Sequence, residues 1–427
     1  MAPTRGVIGI EPQERTLDQT LEKMTKPALP RLLYIGDVPV ESSYHGSALL
    51  FRLLNSYDPQ ELLIVEGGGG NSRPDRRLRD VRYESLRVPG ARALRTRFHK
   101  WAGAWFSLRA AQWAAALDKI GYDFQPQLVL TVAHGFAWLA AAEFAKRHDV
   151  PLYLIVHDDW PRMGVVPATL TGWLDRRFGA VYRQAKVRFC VSPQMVEAYK
   201  QRYGTDGCVL YPSRAADSPK FSKPPERLGR AIGELTVGFA GSVYANYRQA
   251  LKRIADALRP SGGKLVVFGP LNTIDAIRLG LNAENIELGG LLPSRELVET
   301  LREVADVLLI PMSFAATDQP NMTISFPSKL TDYTSAGLPL LIFGPEYCSA
   351  VRWARDNPGV AEIVSTDSSE AVQAALRRLA NDANHRQGLA EAALSVGEQY
   401  FSSEAAAEVF LTSLHNTPDA VPIHVAA

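Results

Sequence analysis

Phe326–Phe343 reads FPSKLTDYTSAGLPLLIF. Pro327 is tolerated at the entry to a helix and excluded from its interior. Ser328 is placed to cap that helix through its hydroxyl. A short helix is predicted from Lys329 to Ala336, with Gly337 at its left-handed end and Pro339 blocking continuation. LPLLIF then reads as a buried strand. Lys329 and Asp332 stand three apart and fall on one helix face. They lie in the first turn, where free N–H groups and the helix dipole favour an anion. One reading is a phosphate beside the lysine and a hydroxyl on the carboxylate. The other is a solvated Lys–Asp pair on an ordinary αβ connection.

Working outward, short apolar runs alternate with helical patterns. RLLYIG at 31, ELLIVE at 61, QLVLTVA at 127, PLYLIVH at 151 and VRFCVS at 187 read as strands, with a helix over 135–148. A stretch with four prolines, YPSRAADSPKFSKPPERLG at 211–229, interrupts the pattern and reads as a linker. Alternation resumes with LTVGFAG at 235, KLVVFG at 264, NIELGG at 285, DVLLIP at 306 and PLLIFG at 339. Helices fit 247–259 and 294–305. This is the pattern of parallel βαβ units. The expected fold class is α/β, with two Rossmann-like, doubly wound parallel-sheet domains facing a cleft. The expected divisions are an N-terminal arm over 1–30, a first domain over 31–212, a linker over 213–232 and a second domain over 233–398. A helix over 399–416 and a loose tail over 417–427 complete the chain. Ligands of such sheets bind at the carboxyl ends of the strands, so the cleft is the expected site.

With 427 residues the chain is long enough for two domains, and 46% hydrophobic content is a globular value. A net charge of +2 argues against a bulk nucleic-acid binder. Cys190, Cys208 and Cys348 are too scattered for a zinc site or a disulfide framework and fit a reducing cytoplasm. The first twenty residues hold no apolar core of signal-peptide type, and no run of apolar residues is long enough to span a bilayer. A cytoplasmic location is expected.

Several strand ends carry chemistry. VGFAGSVYANYRQ at 237–249 is a strand, a glycine turn and a helix. There Gly241 lets backbone approach a ligand closely, backbone N–H groups can hold a diphosphate, and Arg248 adds charge. Tight strand–helix packing would need the same glycines. LYLIVHDDW at 152–160 places His157 at a strand end. Asp158 and Asp159 follow it, but adjacent side chains point opposite ways, so they do not share a metal. His134 ends another strand. The turn VPVESSYHGS at 38–47 offers Ser43, His45 and Gly46 to an acceptor, or is a plain loop.

Ser85–Leu117 contains no acidic residue. Arg87, Arg92, Arg95, Arg97, Lys100 and Arg109 are interleaved with Phe98, Trp101, Trp105, Phe106 and Trp113. Over residues 87–113 this mixture suggests a helix lying on an anionic membrane surface. A core helix with a basic exposed side and a nucleic-acid surface are the other readings.

Together these pieces resemble the GT-B glycosyltransferases and, more closely, the retaining glycosyltransferase family 4. PSKLTDYTSAGLPLL, DVLLIPMS and NIELGGLLPSRELVETLREVADVLLIP carry the resemblance. It spans nearly all of 31–416 and is stronger in the C-terminal half than in the first 125 residues. It implies a nucleoside-diphosphate-sugar donor held mainly by the C-terminal domain and an acceptor held mainly by the N-terminal one. It also implies a final helix that crosses back to the N-terminal domain. Asp332 matches the carboxylate on the ribose, Gly241 and Ser242 the diphosphate turn, and Leu291 the loop that meets the base. His157 matches the strand-end histidine near the reacting sugar. Two positions depart from the pattern: Ser242 replaces an arginine, and Ile324 replaces a glutamate eight residues before Asp332. Lys329 and Arg248 then supply charge to the diphosphate, and Thr323, Ser325 and Ser328 with nearby N–H groups hold the donor. The resemblance implies no metal and no cofactor. The expected activity is retaining transfer of a sugar to a glycan or lipid-linked acceptor in polysaccharide or glycoconjugate synthesis, peripherally on the inner face of the membrane. A nucleotide-sugar 2-epimerase of the same architecture and a non-catalytic nucleotide-sugar-binding subunit are the alternatives.

Overall fold

The computed structural model describes residues 29–42, 46–67, 71–86, 90–230, 232–243 and 245–415. Ser43 and His45, Arg87, nearly all of the expected arm and the expected tail lie outside the described residues. Gly46 opens the helix Gly46–Leu54.

Two sheets form the framework, and every strand pairing in both is parallel. The first holds β1 (Leu32–Gly36), β2 (Leu62–Glu66), β3 (Arg82–Ser85), β4 (Leu128–Val132), β5 (Leu152–Val156), β6 (Val187–Cys190) and β7 (Cys208–Val209), in the order β3-β2-β1-β4-β5-β6-β7. The second holds β8 (Thr236–Ala240), β9 (Lys264–Phe268), β10 (Ile286–Gly290), β11 (Val307–Pro311), β12 (Leu340–Phe343) and β13 (Ala361–Val364), in the order β10-β9-β8-β11-β12-β13. Both orders reverse direction once, between β1 and β4 and between β8 and β11. A crevice opens at such a switch point, outside the carboxyl ends of the strands.

Helices cover both faces of each sheet, so the central strands are apolar on both sides. β1, β2, β4, β5, β8 and β11 are buried along their whole length. The edges differ. β3, RYES, is exposed or half-buried throughout. The predicted helices are present as Ala137–Arg147, Ala245–Leu258 and Ser294–Val304. Local chemistry sets their limits where it is strongest. Ser192 caps the helix Pro193–Tyr203 by accepting from the Met195 N–H, Pro193 occupies its first turn, and Gly204 at φ +70° ends it.

The last helix, Ser403–His415, packs on the first sheet, although it follows the second in the chain. Its Ala406, Phe410 and Leu414 are buried in the same cluster as Leu32, Tyr34 and Tyr153. The Phe410 ring lies 5.8 Å from that of Phe189, and the Tyr153 hydroxyl donates to the Ser413 carbonyl at 2.9 Å. The two halves also touch directly. Ser192 Oγ donates to the Ile324 carbonyl at 3.0 Å, and Arg352 pairs with Glu197 at 2.6 Å.

Candidate active site

The carboxyl edge of the second sheet begins at Gly241, directly after β8. Its φ of +130° is a conformation that L side chains rarely adopt, and a Cβ there would meet Lys329 Cε at 2.9 Å. Lys329 thus lies against the turn. Its ammonium sits 5.2 Å from the Phe239 ring centre and 4.9 Å from that of Tyr247. Burial lowers its pKa to about 8, and no carboxylate among the described residues offsets the shift. Aromatic rings are the electrostatic company of this cation, and they leave its charge uncompensated.

Lys329 and Asp332 do not pair. The helix runs only from Lys329 to Tyr333, and its two charged residues meet different surroundings. The charges nearest Asp332 are Arg52, from the first domain, and Arg214, from the linker. Burial raises the Asp332 carboxyl, and both arginines oppose the shift. Arg214 is itself anchored on the Gly397 carbonyl at 2.5 Å and on Glu398 at 3.2 Å. Asp332 therefore stands where the first domain, the linker and the second domain meet.

Ser328 does not cap the helix. Its backbone is helical, its side chain is exposed and caps no N–H, and its carbonyl instead accepts from the Thr331 hydroxyl. Gly337 does take the left-handed conformation, at φ +66°. Thr323 Oγ1 is turned back onto the Gln319 carbonyl, and Ser325 Oγ bonds Asn321. Ile324 is buried. Leu291 is exposed, directly after Gly290, which takes φ +73°. Ser242 is half-buried beside Gly241, and Arg248 is exposed on the first turn of its helix.

The carboxyl edge of the first sheet is built from β1, β4 and β5. His157 follows β5. Its Nε2 is buried without a hydrogen-bond partner, and burial lowers the ring to about 4, with His134 acting in the same direction. The imidazole is neutral at pH 7. His134 follows β4, its ring 4.3 Å from Trp160, and burial lowers it while Asp158 and Asp37 oppose the shift. Asp158 and Asp159 part, as expected. Asp159 is buried and holds Arg202 through two bonds of 2.8 and 3.1 Å. Asp158 stays beside His134, its carboxyl raised by burial.

Asp37, directly after β1, was missed by sequence reasoning. Its Oδ2 accepts the N–H groups of Phe136 and Ala137, the latter at 2.7 Å, at the start of the helix Ala137–Arg147. A Cβ at Gly135 would meet this carboxylate at 2.1 Å and one at Gly67 at 2.8 Å, so two glycines clear its space. Burial raises its carboxyl despite both N–H groups. An acid directly after an all-apolar strand was the available signal.

Residues 62–212 match the sequence model of Glycosyltransferase Family 4. The match lies in the N-terminal half, whereas the motifs quoted above are strongest in the C-terminal half. No curated protein matches the sequence. Among solved structures, HepE of Anabaena in complex with UDP and glucose is 14% identical, covers 91% of this chain and 100% of its own, and superimposes with a TM-score of 0.62. Sucrose-phosphate synthase from Thermosynechococcus elongatus is 12% identical, with 90% and 98% coverage and a TM-score of 0.62. WaaG, a glycosyltransferase involved in lipopolysaccharide biosynthesis, is 15% identical, with 89% and 99% coverage and a TM-score of 0.57. The chain thus has the two-sheet fold of the GT-B glycosyltransferases and carries a Glycosyltransferase Family 4 match over residues 62–212.

Proposed function

We propose that this protein is a retaining glycosyltransferase that moves a sugar from a nucleoside-diphosphate donor to a glycan or lipid-linked acceptor. It would work in polysaccharide or glycoconjugate synthesis, in the cytoplasm and peripherally on an anionic membrane surface. The observation that carries the reading is Lys329, a half-buried ammonium with no carboxylate partner among the described residues, held against the Gly241 turn at the switch point of the second sheet. HepE, which shares the fold, is seen with UDP and with UDP-glucose.

In this reading Lys329 and the Gly241–Ser242 turn hold the diphosphate, with Arg248 adding charge from solvent. Asp332 takes the ribose, Leu291 covers the base, and Thr323, Ser325 and Ser328 line the donor's path. The bond from the sugar's anomeric carbon to the diphosphate oxygen breaks. The acceptor hydroxyl bonds to the same face of that carbon, and its proton passes to the departing diphosphate. Charge grows on the diphosphate as it leaves, and a fixed ammonium in a poorly hydrated pocket stabilises that charge most strongly. His157 is neutral, so its free Nε2 is suited to a sugar hydroxyl rather than to a phosphate. His134 and Gly46 are assigned to the acceptor; the other two expected acceptor residues, Ser43 and His45, lie outside the described residues.

Thermal-shift screening against UDP-, GDP-, ADP- and dTDP-sugars tests this. A ligand at a hundredfold excess over Kd stabilises by about 2.7 kcal/mol. A shift with one nucleotide class, abolished in both Lys329→Ala and Asp332→Ala, is expected; no shift with any class contradicts the reading. Ile324, buried where the family has a glutamate, favours a second reading as a donor-binding subunit without transferase activity. Donor binding without release of nucleoside diphosphate, with or without acceptor, selects it.

A further inference from the structure

The two sheets share one strand order and differ in the residue directly after the first strand. The order β3-β2-β1-β4-β5-β6 in the first sheet corresponds to β10-β9-β8-β11-β12-β13 in the second. Each order reverses beside its first strand, β1 or β8, so each crevice lies at the carboxyl end of that strand. β8 leads into Gly241, and β1 leads into Asp37. Glycine leaves the crevice of the second sheet open, with Lys329 against it. In the first sheet a carboxylate stands in the corresponding place.

That carboxylate takes the position of an anion. The helix Ala137–Arg147 follows β4 and starts at this crevice. Free N–H groups at a helix start, at the positive end of its dipole, are where such sheets hold a phosphate. Here Asp37 Oδ2 accepts two of them, from Phe136 and from Ala137, the latter at 2.7 Å. Phe136 stands in the cap position and its own side chain caps nothing, so Asp37 supplies the cap from far along the chain. Space is cleared for it on two sides. A Cβ on Gly135, at φ +62°, would come within 2.5 Å of Asp37 Cγ, and one on Gly67 within 2.8 Å of Oδ1. Gly67 follows β2, and its N–H donates to the Gly36 carbonyl at 2.9 Å. Asp37 thus sits between the turns that follow β2 and β4. A phosphate on the two N–H groups would overlap the carboxyl, and an ionised Asp37 would repel it. Asp158 brings a second carboxyl to His134 on the same edge. A hydroxyl meets no such obstacle, since a carboxyl oxygen accepts from it. Asp37 is half-buried, so it is not sealed from a ligand.

We propose that Asp37 sets the acceptor class of the first domain: by filling the anion position at the start of the helix Ala137–Arg147, it excludes a phosphate and leaves the crevice to an acceptor that meets it through neutral hydroxyls. The proposal rests on the transferase reading above and narrows its acceptor to a sugar with no phosphate beside the reacting hydroxyl. One residue after the first strand then separates the crevice that takes an anion from the crevice that refuses one.

The test uses the full chain. Inorganic phosphate and glucose 6-phosphate are titrated at pH 7 while the backbone N–H signal of Phe136 is followed by NMR in protein with isotope-labelled phenylalanine. Phe136→Leu identifies that signal. In the wild type neither probe should move it. Asp37→Gly gives the first sheet the residue of the second and frees both N–H groups. Its Phe136 signal should respond to both probes and saturate, with an affinity about tenfold or more above that of the wild type. Asp37→Ser leaves similar room while keeping a helix-capping residue, and it carries the same expectation should Asp37→Gly not fold. Asp37→Asn keeps the size of the side chain and an acceptor oxygen, so it should respond as little as the wild type. A saturable response in the wild type that survives Lys329→Met overturns the proposal. So does an equal response in Asp37→Asn and Asp37→Gly, or none in either Asp37→Gly or Asp37→Ser. Thermal shifts with the four nucleotide sugars are recorded in parallel. Their absence overturns the transferase reading, whereas donor binding together with a phosphate response of the wild type at Phe136 overturns the role of Asp37 alone.

Discussion

The two sheet edges that face the cleft solve different problems with buried titratable groups. On the second sheet, Lys329 keeps a cation away from water with aromatic rings for company, and burial brings it down to about 8. On the first, His157 and His134 are also pushed down by burial, but this leaves them neutral. One edge holds a cation that no carboxylate among the described residues offsets, and the other sets neutral imidazoles beside the carboxyls of Asp37 and Asp158, both raised by burial. Such a division suits a reaction whose leaving group is an anion and whose incoming group is a hydroxyl. Burial has the same direction at both edges. The difference lies in the intrinsic pKa on which it acts, about 10.4 for lysine and 6.5 for histidine.

The strongest way to sharpen this comparison is a charge that already has its partner. Asp159 is buried and bonds Arg202 twice, so Asp159→Ala should destabilise the protein by about 3 kcal/mol, leaving the half-buried Arg202 with Asp175 at 3.9 Å as its remaining carboxylate. Chemical denaturation measures it, and a change below about 1 kcal/mol would show that the pair is not fixed.

Lys329→Ala comes next. It should lower kcat/KM about 10²–10³-fold, the scale of losing one fixed donor at a developing anion. Steady-state transfer or donor hydrolysis reads it, and a loss under threefold would break the comparison.

The pH dependence of stability follows from the same residue. Between pH 8 and 10.5 the unfolded chain holds the Lys329 proton and the folded chain has released it, so folding stability rises with pH across that window. Relative to Lys329→Met, the wild type should gain about 2–3 kcal/mol there. Donor affinity runs the other way. A diphosphate favours the charged ammonium, so binding should weaken as pH rises above about 8.

His157→Phe keeps the shape of the ring and removes the unpaired Nε2. Stability should be kept or slightly increased, while kcat falls roughly tenfold or more through a lost hydrogen bond. A variant with unchanged kcat would remove the ring from the mechanism. The smallest effect belongs to Arg248→Ala. Its side chain is exposed, so donor affinity should fall by about threefold or less.

The framework was legible because central parallel strands must be apolar on both faces. LLYIG, LLIVE and VLLIP cannot be mistaken for amphipathic helices of useful length. Three of the four edge strands escaped for the converse reason: RYES is polar, CV is two residues long, and AEIV is short and half-buried, whereas the fourth edge, IELGG, was expected. Within the site, Gly241 and Lys329 could be named from a glycine turn and a helix start, but their contact joins positions far apart in the chain. Asp37 escaped because its partners, the N–H groups of Phe136 and Ala137, lie about a hundred residues away. Asp332 was correctly placed on the short helix, yet its neighbours Arg52 and Arg214 come from two other parts of the chain. Helical spacing describes neighbours within an element and is silent on what packs against it. Ser328 shows the limit of local rules. It has a capping residue's identity, but a helical backbone and a side chain turned to solvent.

The central claim is that the Lys329–Gly241 contact is a diphosphate site. Calorimetric titration of wild type and Lys329→Met at pH 7, with the nucleoside diphosphate whose sugar gives the thermal shift, tests it most directly. Replacing a buried, unpartnered cation by an apolar side chain of similar length should leave the unliganded protein at least as stable. The account predicts that this intact variant loses at least tenfold in nucleoside-diphosphate affinity, the scale of a lost charge-assisted hydrogen bond. Equal affinity in the two proteins would contradict it.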